Sequence, residues 1–132
     1  MIKLKSLLKE NIIEDTDKKY PLAGNIVDGR KVKKNIDNWS SIEASLYHYE
    51  ILDGIREVPM SDFSLTGKHY NANEMERTKQ LAAQIKESNS ISPLIVVVDR
   101  KGPYILEGSH RIDALKLLNA KSFPALIVVD LD

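Results

Sequence analysis

Apolar and polar positions in the second half of the chain alternate as in a small domain that mixes helices and strands. The run Leu94–Val98 is continuously apolar between Pro93 and Asp99, and such a run predicts a strand buried on both faces. Residues 74–89 place apolar side chains at i, i+3, i+4 and i+7, the spacing of an amphipathic helix. The whole pattern predicts the order β-α-β-β-α-β, with strands at 55–58, 94–98, 104–106 and 125–129 and helices at 74–89 and after 108. We therefore expect an α/β (α+β) fold with a small mixed sheet.

The first half of the chain predicts an extension, residues 1–50, ahead of the main domain at residues 51–132. A helix is expected from about Ile2 to Ile13, and Asp28-Gly29 is a turn signal for a small hairpin. A second short helix, capped by Ser40 or Ser41, is expected to run to Tyr47. Trp39, the only tryptophan, is expected to anchor this segment by packing.

A polar turn at residues 107–111 joins the third strand to the last helix and is the strongest candidate for chemistry. Gly108 allows positive φ and close approach of a ligand, and a helix N-terminus presents unpaired N–H groups that favour an anion. Ser109, His110 and Arg111 add a hydroxyl, an imidazole and a guanidinium, which suit phosphate oxygens. An ordinary turn explains the same residues, with Gly108 or Ser109 as N-cap and His110 and Arg111 exposed. The residues alone leave both interpretations open.

The charge, the cysteine content and the length of the apolar runs limit the functions that the protein can have. The net charge is zero and 42% of residues are hydrophobic, so no overall field attracts nucleic acid or a membrane. The only basic cluster is Arg30, Lys31, Lys33 and Lys34, for which a solvated face and a nucleic-acid contact are the alternatives. The absence of cysteine excludes disulfides and a cysteine nucleophile. The apolar runs are too short to span a bilayer, so a cytoplasmic protein with no membrane partner is expected.

Two ordered blocks of sequence carry a resemblance to a known superfamily. The first is the helix and strand KQLAAQIKESNSISPLIVV, and the second is ILEGSHRIDALKLLNAKSFPALIV. Together they resemble the superfamily that joins the N-terminal domain of ParB partition proteins, sulfiredoxin and the free serine kinases. Those proteins have Gly-Glu-Arg-Arg, Gly-Cys-His-Arg and Asp-Gly-His-His-Arg at the turn that here reads Gly108-Ser109-His110-Arg111.

The resemblance implies that residues 108–111 hold the phosphates of ATP, ADP or CTP together with Mg²⁺. It also implies that Lys68 and His69 lie in the loop where relatives place a basic residue facing the nucleotide. Sulfiredoxin's cysteine falls at Ser109, so sulfiredoxin chemistry is not expected. Because the chain ends at Asp132, we expect a free-standing domain rather than a complete partition protein.

Two alternatives for function follow from the resemblance. In the first, the domain is a kinase or NTPase that passes phosphate to water or to a small hydroxyl acceptor. Glu57 is then preferred over Glu107 as the general base, because the end of its strand precedes a mobile loop. In the second, the domain is a DNA-associated or protein-interaction module that keeps the fold without catalysis and uses the Arg30–Lys34 cluster.

Overall fold

The computed structural model describes residues 4–36, 39–46, 49–63 and 72–130. The described chain forms four α-helices and eight strands. The helices are α1 (Leu4–Lys19), α2 (Trp39–Ile42), α3 (Ala72–Ser88) and α4 (Ser109–Leu117). The strands are β1 (Ile26–Val27), β2 (Arg30–Val32), β3 (Glu50–Ile51), β4 (Arg56–Pro59), β5 (Ser90–Ile91), β6 (Leu94–Asp99), β7 (Gly102–Glu107) and β8 (Ser122–Val129). The predicted α/β fold class is confirmed. From β4 onward the predicted order corresponds to β4, α3, β6, β7, α4 and β8, and the unpredicted two-residue strand β5 is inserted between α3 and β6.

The main sheet has five strands built around β8. Strands β3 and β4 both pair antiparallel with β8, β8 runs parallel to β6, and β6 pairs antiparallel with β7. A smaller sheet has the order β1-β2-β5, in which β2 and β5 are parallel. The two-residue strand β3 was not predicted, because a segment this short has no measurable periodicity.

The two faces of the main sheet bury different parts of the chain. One face packs Val96 and Ile127 against Ile85 of α3 and Leu115 of α4. The other face packs Ile95, Val97 and Val128 against Leu46 and the half-buried Trp39 and Ile42. Strand β6 is therefore buried on both sides, as its continuous apolar run predicts. The prediction that Trp39 is a packing anchor is also confirmed.

The hairpin predicted at Asp28-Gly29 is present. Val27 pairs with Arg30 across a two-residue turn, and Asp28 and Gly29 have φ values of 51° and 75°. Two consecutive positive φ angles are the geometry of a type I′ turn, which asparagine or aspartate followed by glycine favours. The second short helix differs slightly from expectation: it begins at Trp39, before Ser40, and continues as a 3₁₀ turn over Glu43–Leu46.

Helix α1 ends at Lys19, six residues beyond the end predicted at Ile13. The extra turns are stabilised by contacts from distant residues rather than by the local pattern. The buried Arg56 side chain donates hydrogen bonds to the Asp17 carboxylate and the Tyr20 carbonyl. The Tyr20 side chain is buried, and its hydroxyl donates to Asp62 at 2.7 Å. These contacts join the N-terminal extension to the main domain.

Replacing Tyr20 with phenylalanine should reduce the free energy of unfolding by about 1 kcal/mol at neutral pH, the typical contribution of one hydrogen bond. Burial, followed by the hydrogen bond and the charge of Asp62, raises the pKa of Tyr20. The folded state therefore keeps this proton at a pH where an unfolded tyrosine, with a pKa of about 10, has lost it. Stability from Tyr20 is complete below pH 10 and falls as the pH rises further.

Urea unfolding of wild type and Tyr20→Phe from pH 7 to pH 11 checks this. The stability difference between the two proteins should narrow above pH 10. Tyr104→Phe is the matched control, because Tyr104 is exposed in β7 and its hydroxyl should contribute much less. A difference for Tyr20→Phe that stays constant with pH would contradict the assignment.

Candidate functional site

The turn between β7 and α4 has the conformation that an anion site requires. Gly108 is the N-cap of α4 with φ 112° and ψ 21°, and the Ile112 N–H donates to the Gly108 carbonyl at 2.9 Å. A Cβ at Gly108 would lie 2.6 Å from Leu94 Cγ. Glycine is therefore required both by the backbone angle and by the close contact with β6. The N–H groups of the first helical residues have no carbonyl partner inside the helix, so they point out of its N-terminus.

Ser109 is the first residue of α4 and is exposed. The alternative in which Ser109 caps the helix is wrong, because Gly108 occupies the N-cap position. Ser109 therefore lies one position inside the helix, at its first turn.

Arg111 occupies a position that neither interpretation of the sequence expected. The residue is only 8% exposed, and Nη1 donates to the carbonyls of Ser92 at 2.7 Å and Pro93 at 3.2 Å. The guanidinium also lies directly beside Gly108, since Nη2 is 3.3 Å from the place a Cβ would take there. Arg111 therefore links the first turn of α4 by hydrogen bonds to Ser92 and Pro93, which precede β6. Its positive charge lies close to the Gly108 backbone. Its role as a direct phosphate ligand stays a prediction.

His110 is exposed and opens onto a groove between α3 and α4 of about 290 Å³. The other residues lining the groove belong to α3: Arg77, Gln80, Leu81 and Gln84. Their spacing of i, i+3, i+4 and i+7 places them along one side of the helix. The N-terminus of α4, an imidazole and a guanidinium therefore meet at one groove.

Sequence reasoning missed Arg77, Gln80 and Gln84. These three residues run beside the largely apolar stripe of α3, which has the predicted spacing and consists of Thr78, Leu81, Ala82 and Ile85. A polar row next to a buried stripe has the pattern of any solvated helix surface. Only the packing of α3 beside α4 distinguishes this row as the wall of a groove.

The structure does not bring Glu57 to this groove. Val58 faces the core shared with α3 and α4, so its neighbour Glu57 points to the opposite face of the sheet. There the Glu57 carboxylate accepts a hydrogen bond from the Ser122 hydroxyl at 2.7 Å. Glu57 lies in β4, which pairs with β8, whereas Gly108 follows β7 on the far side of β6.

The remaining predicted site residues are placed only in part. Glu107 is the last residue of β7, and its backbone lies opposite Ile95; its side chain is outside the described part. Lys68 and His69 also lie outside the described residues. The described part before these residues ends at Phe63. The Phe63 carbonyl accepts a hydrogen bond from Lys116 Nζ of α4 at 2.8 Å. Burial lowers the pKa of Lys116, and the nearby Asp113 charge opposes that shift.

Asp113, one turn into α4, is a buried carboxylate, although a carboxylate near the start of a helix favours the dipole and needs no burial. It is 7% exposed and belongs to the buried side of α4, together with Ile112, Ala114 and Leu115. Five consecutive residues of α4, starting from Arg111, are buried. A short helix inserted into the core has no solvent face at this point, so the usual alternation of polar and apolar positions is missing.

The protein is thus an α/β domain in which a glycine turn leads into helix α4. The N-terminus of α4 opens onto a polar groove. The chain matches the ParB N-terminal domain family over residues 47–132. Because the match covers more than half of the chain, the protein belongs to this family. No curated protein matches it significantly. The match begins within the predicted extension, and the division at residue 50 stays a prediction.

Among the helices described, none is long and apolar enough to cross a membrane.

Proposed function

We propose that the protein binds a nucleotide in the groove between α3 and α4, with the phosphates at the N-terminus of α4. The observation that carries the proposal is that His110 and Arg77 line the same groove, at the end where α4 begins. Membership of the ParB N-terminal domain family supports it, since this family in general binds nucleotide or DNA.

Each side chain of the groove has a distinct role in this proposal. The backbone N–H groups of Ser109 and His110 meet phosphate oxygens along the axis of α4, where the helix dipole is positive. The His110 imidazole donates a further hydrogen bond to the same phosphates. The guanidinium of Arg77 approaches from α3 and can bind two oxygens at once. Gln80 and Gln84 offer amide donors and acceptors farther along the groove for the ribose or the base.

Mg²⁺ fits this site only as a companion of the nucleotide. Among the described residues that line the groove, none is a carboxylate, and protein sites for Mg²⁺ combine one or two carboxylates with phosphates and water. Nor do the described residues contain a group of three acidic or histidine side chains able to hold a metal. The ion would therefore be held mainly by phosphate oxygens, and it would offset their charge during binding.

Phosphoryl transfer to water or to a small hydroxyl acceptor is a further proposal for the same groove. Such a reaction depends chiefly on positioning and charge stabilisation, which the α4 N-terminus and Arg77 supply. Glu57 lies behind the sheet, away from this groove, and the side chain of Glu107 is outside the described part. The reaction is therefore proposed without an assigned base. Nucleotide turnover measured with ATP, ADP and CTP in the presence of Mg²⁺ tests whether a reaction follows binding.

Arg77→Ala and His110→Ala should each weaken nucleotide binding by about 10-fold or more. A hydrogen bond to a charged group contributes about 1.5–3 kcal/mol, and 1.4 kcal/mol corresponds to one factor of ten in affinity. Calorimetric titration of ATP, ADP and CTP with Mg²⁺ into wild type and both variants measures the change.

Lys79→Ala is the matched control for this experiment. Lys79 is an exposed cation two residues from Arg77 on α3, but it does not line the groove. Removing it lowers the net charge by the same amount. Equal weakening in Lys79→Ala and Arg77→Ala, or no weakening in either groove variant, would reject the groove as the phosphate site.

DNA contact is the second candidate function. The specific observation that favours it is a cluster of lysines on a different surface from the groove, next to strand β2. Because none of these lysines lines the groove, the two candidate functions use separate residues and can be tested separately.

A further inference from the structure

A second cavity, of about 770 Å³, lies beside β2, and six of its seven lining residues belong to the N-terminal extension. We call it the lysine cleft; its lining residues are Asn25, Lys31, Val32, Lys33, Lys34, Asn35 and Ser92. It shares no lining residue with the groove between α3 and α4. Three of its seven lining residues are lysines, although the chain as a whole has no net charge. The cleft is therefore a local concentration of positive charge.

The structure separates the four basic residues of this segment into two groups. Arg30 Nη1 forms a salt bridge with Asp28 at 2.9 Å, and its charge is balanced within the hairpin turn. Lys31, Lys33 and Lys34 are exposed, and in the described part of the chain none of them takes part in an ion pair. Three cations therefore remain available to a ligand, and Arg30 does not line the cleft.

The backbone holds these lysines at fixed positions. Lys31 pairs with Ser90 between β2 and β5, and the Lys33 N–H donates to the Ile91 carbonyl at 2.9 Å. Residues two apart on an extended chain lie about 6.6 Å from each other, so the pairing with β5 fixes the backbone positions from which Lys31 and Lys33 extend. A flexible tail would offer the same charges without this order.

We propose that the lysine cleft binds the phosphate backbone of a double-stranded nucleic acid. Lysine ammonium groups are point charges that neutralise phosphates without reading sequence. Among the described residues lining the cleft, none is aromatic, whereas single-strand binding relies on bases stacked on aromatic side chains. The cleft thus suits a duplex backbone better than an unpaired strand. This inference rests on the second candidate function and names its surface and its ligand.

Binding of a labelled mixed-sequence DNA duplex, followed by fluorescence anisotropy between 50 and 200 mM salt, tests the proposal. Three lysine–phosphate contacts predict a slope of about −2.7 for log affinity against log salt, which is an affinity loss of about 40-fold over this range. In the variant Lys31→Gln/Lys33→Gln/Lys34→Gln, duplex binding at 50 mM salt should fall below detection. Arg30→Gln should leave the slope unchanged.

The matched control is Lys79→Gln/Lys86→Gln/Lys101→Gln, which removes three exposed lysines outside the cleft and changes the net charge equally. It should retain duplex binding. Equal loss in both triple variants would show that net charge alone matters and would overturn the proposal. Absence of duplex binding by the wild type at 50 mM salt, or tighter binding of a single strand, would overturn it as well.

Calorimetry with mononucleotides separates this proposal from the one for the groove. The cleft variant should bind ATP or CTP as the wild type does, and Arg77→Ala should bind the duplex as the wild type does. Loss of mononucleotide binding in the cleft variant would show that the lysines belong to a nucleotide site, which contradicts a separate duplex site. Duplex binding can therefore fail while mononucleotide binding persists, and the reverse, so each proposal can be rejected independently.

Discussion

Replacing Gly108 with alanine is expected to lower the free energy of unfolding by about 3 kcal/mol and to abolish nucleotide binding. An alanine with φ near 112° carries a backbone penalty of about 1–2 kcal/mol. Its methyl group would lie 2.6 Å from Leu94 Cγ, and such overpacking costs about 1–3 kcal/mol. The turn can relieve the contact only by shifting the first residues of α4, which moves the N–H groups proposed to hold phosphate.

Gly102→Ala is the control that isolates the backbone term. Gly102 has a similar φ of 119°, but a Cβ there would meet no atom within 4 Å. Its cost should therefore be about 1–2 kcal/mol, clearly below that of Gly108→Ala in urea or thermal unfolding. A double-mutant cycle with Leu94→Ala should show that the two changes are not additive, because truncation of Leu94 makes room for the new methyl group. Equal costs for the two glycine variants would show that the contact with Leu94 does not matter.

The elements that could be predicted from the sequence are those whose determinants are local. Asp28-Gly29 specifies its own turn through two positive φ angles, and the apolar run of β6 requires burial on both faces. The place of Gly108 between a strand and a helix was also readable, because glycine, turn and helix start are adjacent in the chain. These local features were sufficient to predict the fold class and to locate the candidate site along the chain.

The features that could not be predicted depend on contacts between distant residues. Arg111 is buried because the Ser92 and Pro93 carbonyls, 19 and 18 residues away, accept its hydrogen bonds. Helix α1 continues past Ile13 where Arg56, 39 residues from Asp17, binds its last turns. The polar row of α3 becomes a groove wall only when α4 packs beside it. No pattern within a short window contains this information.

The burial of Arg111 changes what its substitution should do. In Arg111→Ala the carbonyls of Ser92 and Pro93, both in buried residues, lose a charged donor. Each unsatisfied buried acceptor costs about 1–3 kcal/mol, so we expect the free energy of unfolding to fall by about 2–4 kcal/mol. Arg111→Lys keeps the charge but lacks the planar guanidinium fork, so its loss should be intermediate. Chemical denaturation of the three proteins measures these differences.

His110→Ala is the matched control, since His110 is the neighbouring residue on the same helical turn and is exposed. It should change stability by less than about 0.5 kcal/mol while it weakens nucleotide binding. The two adjacent substitutions are thus expected to separate stability from binding: Arg111 holds the turn in place and His110 contacts the ligand. If Arg111→Ala instead unfolds at the same urea concentration as the wild type and selectively loses nucleotide binding, its guanidinium is a phosphate ligand rather than a structural clamp.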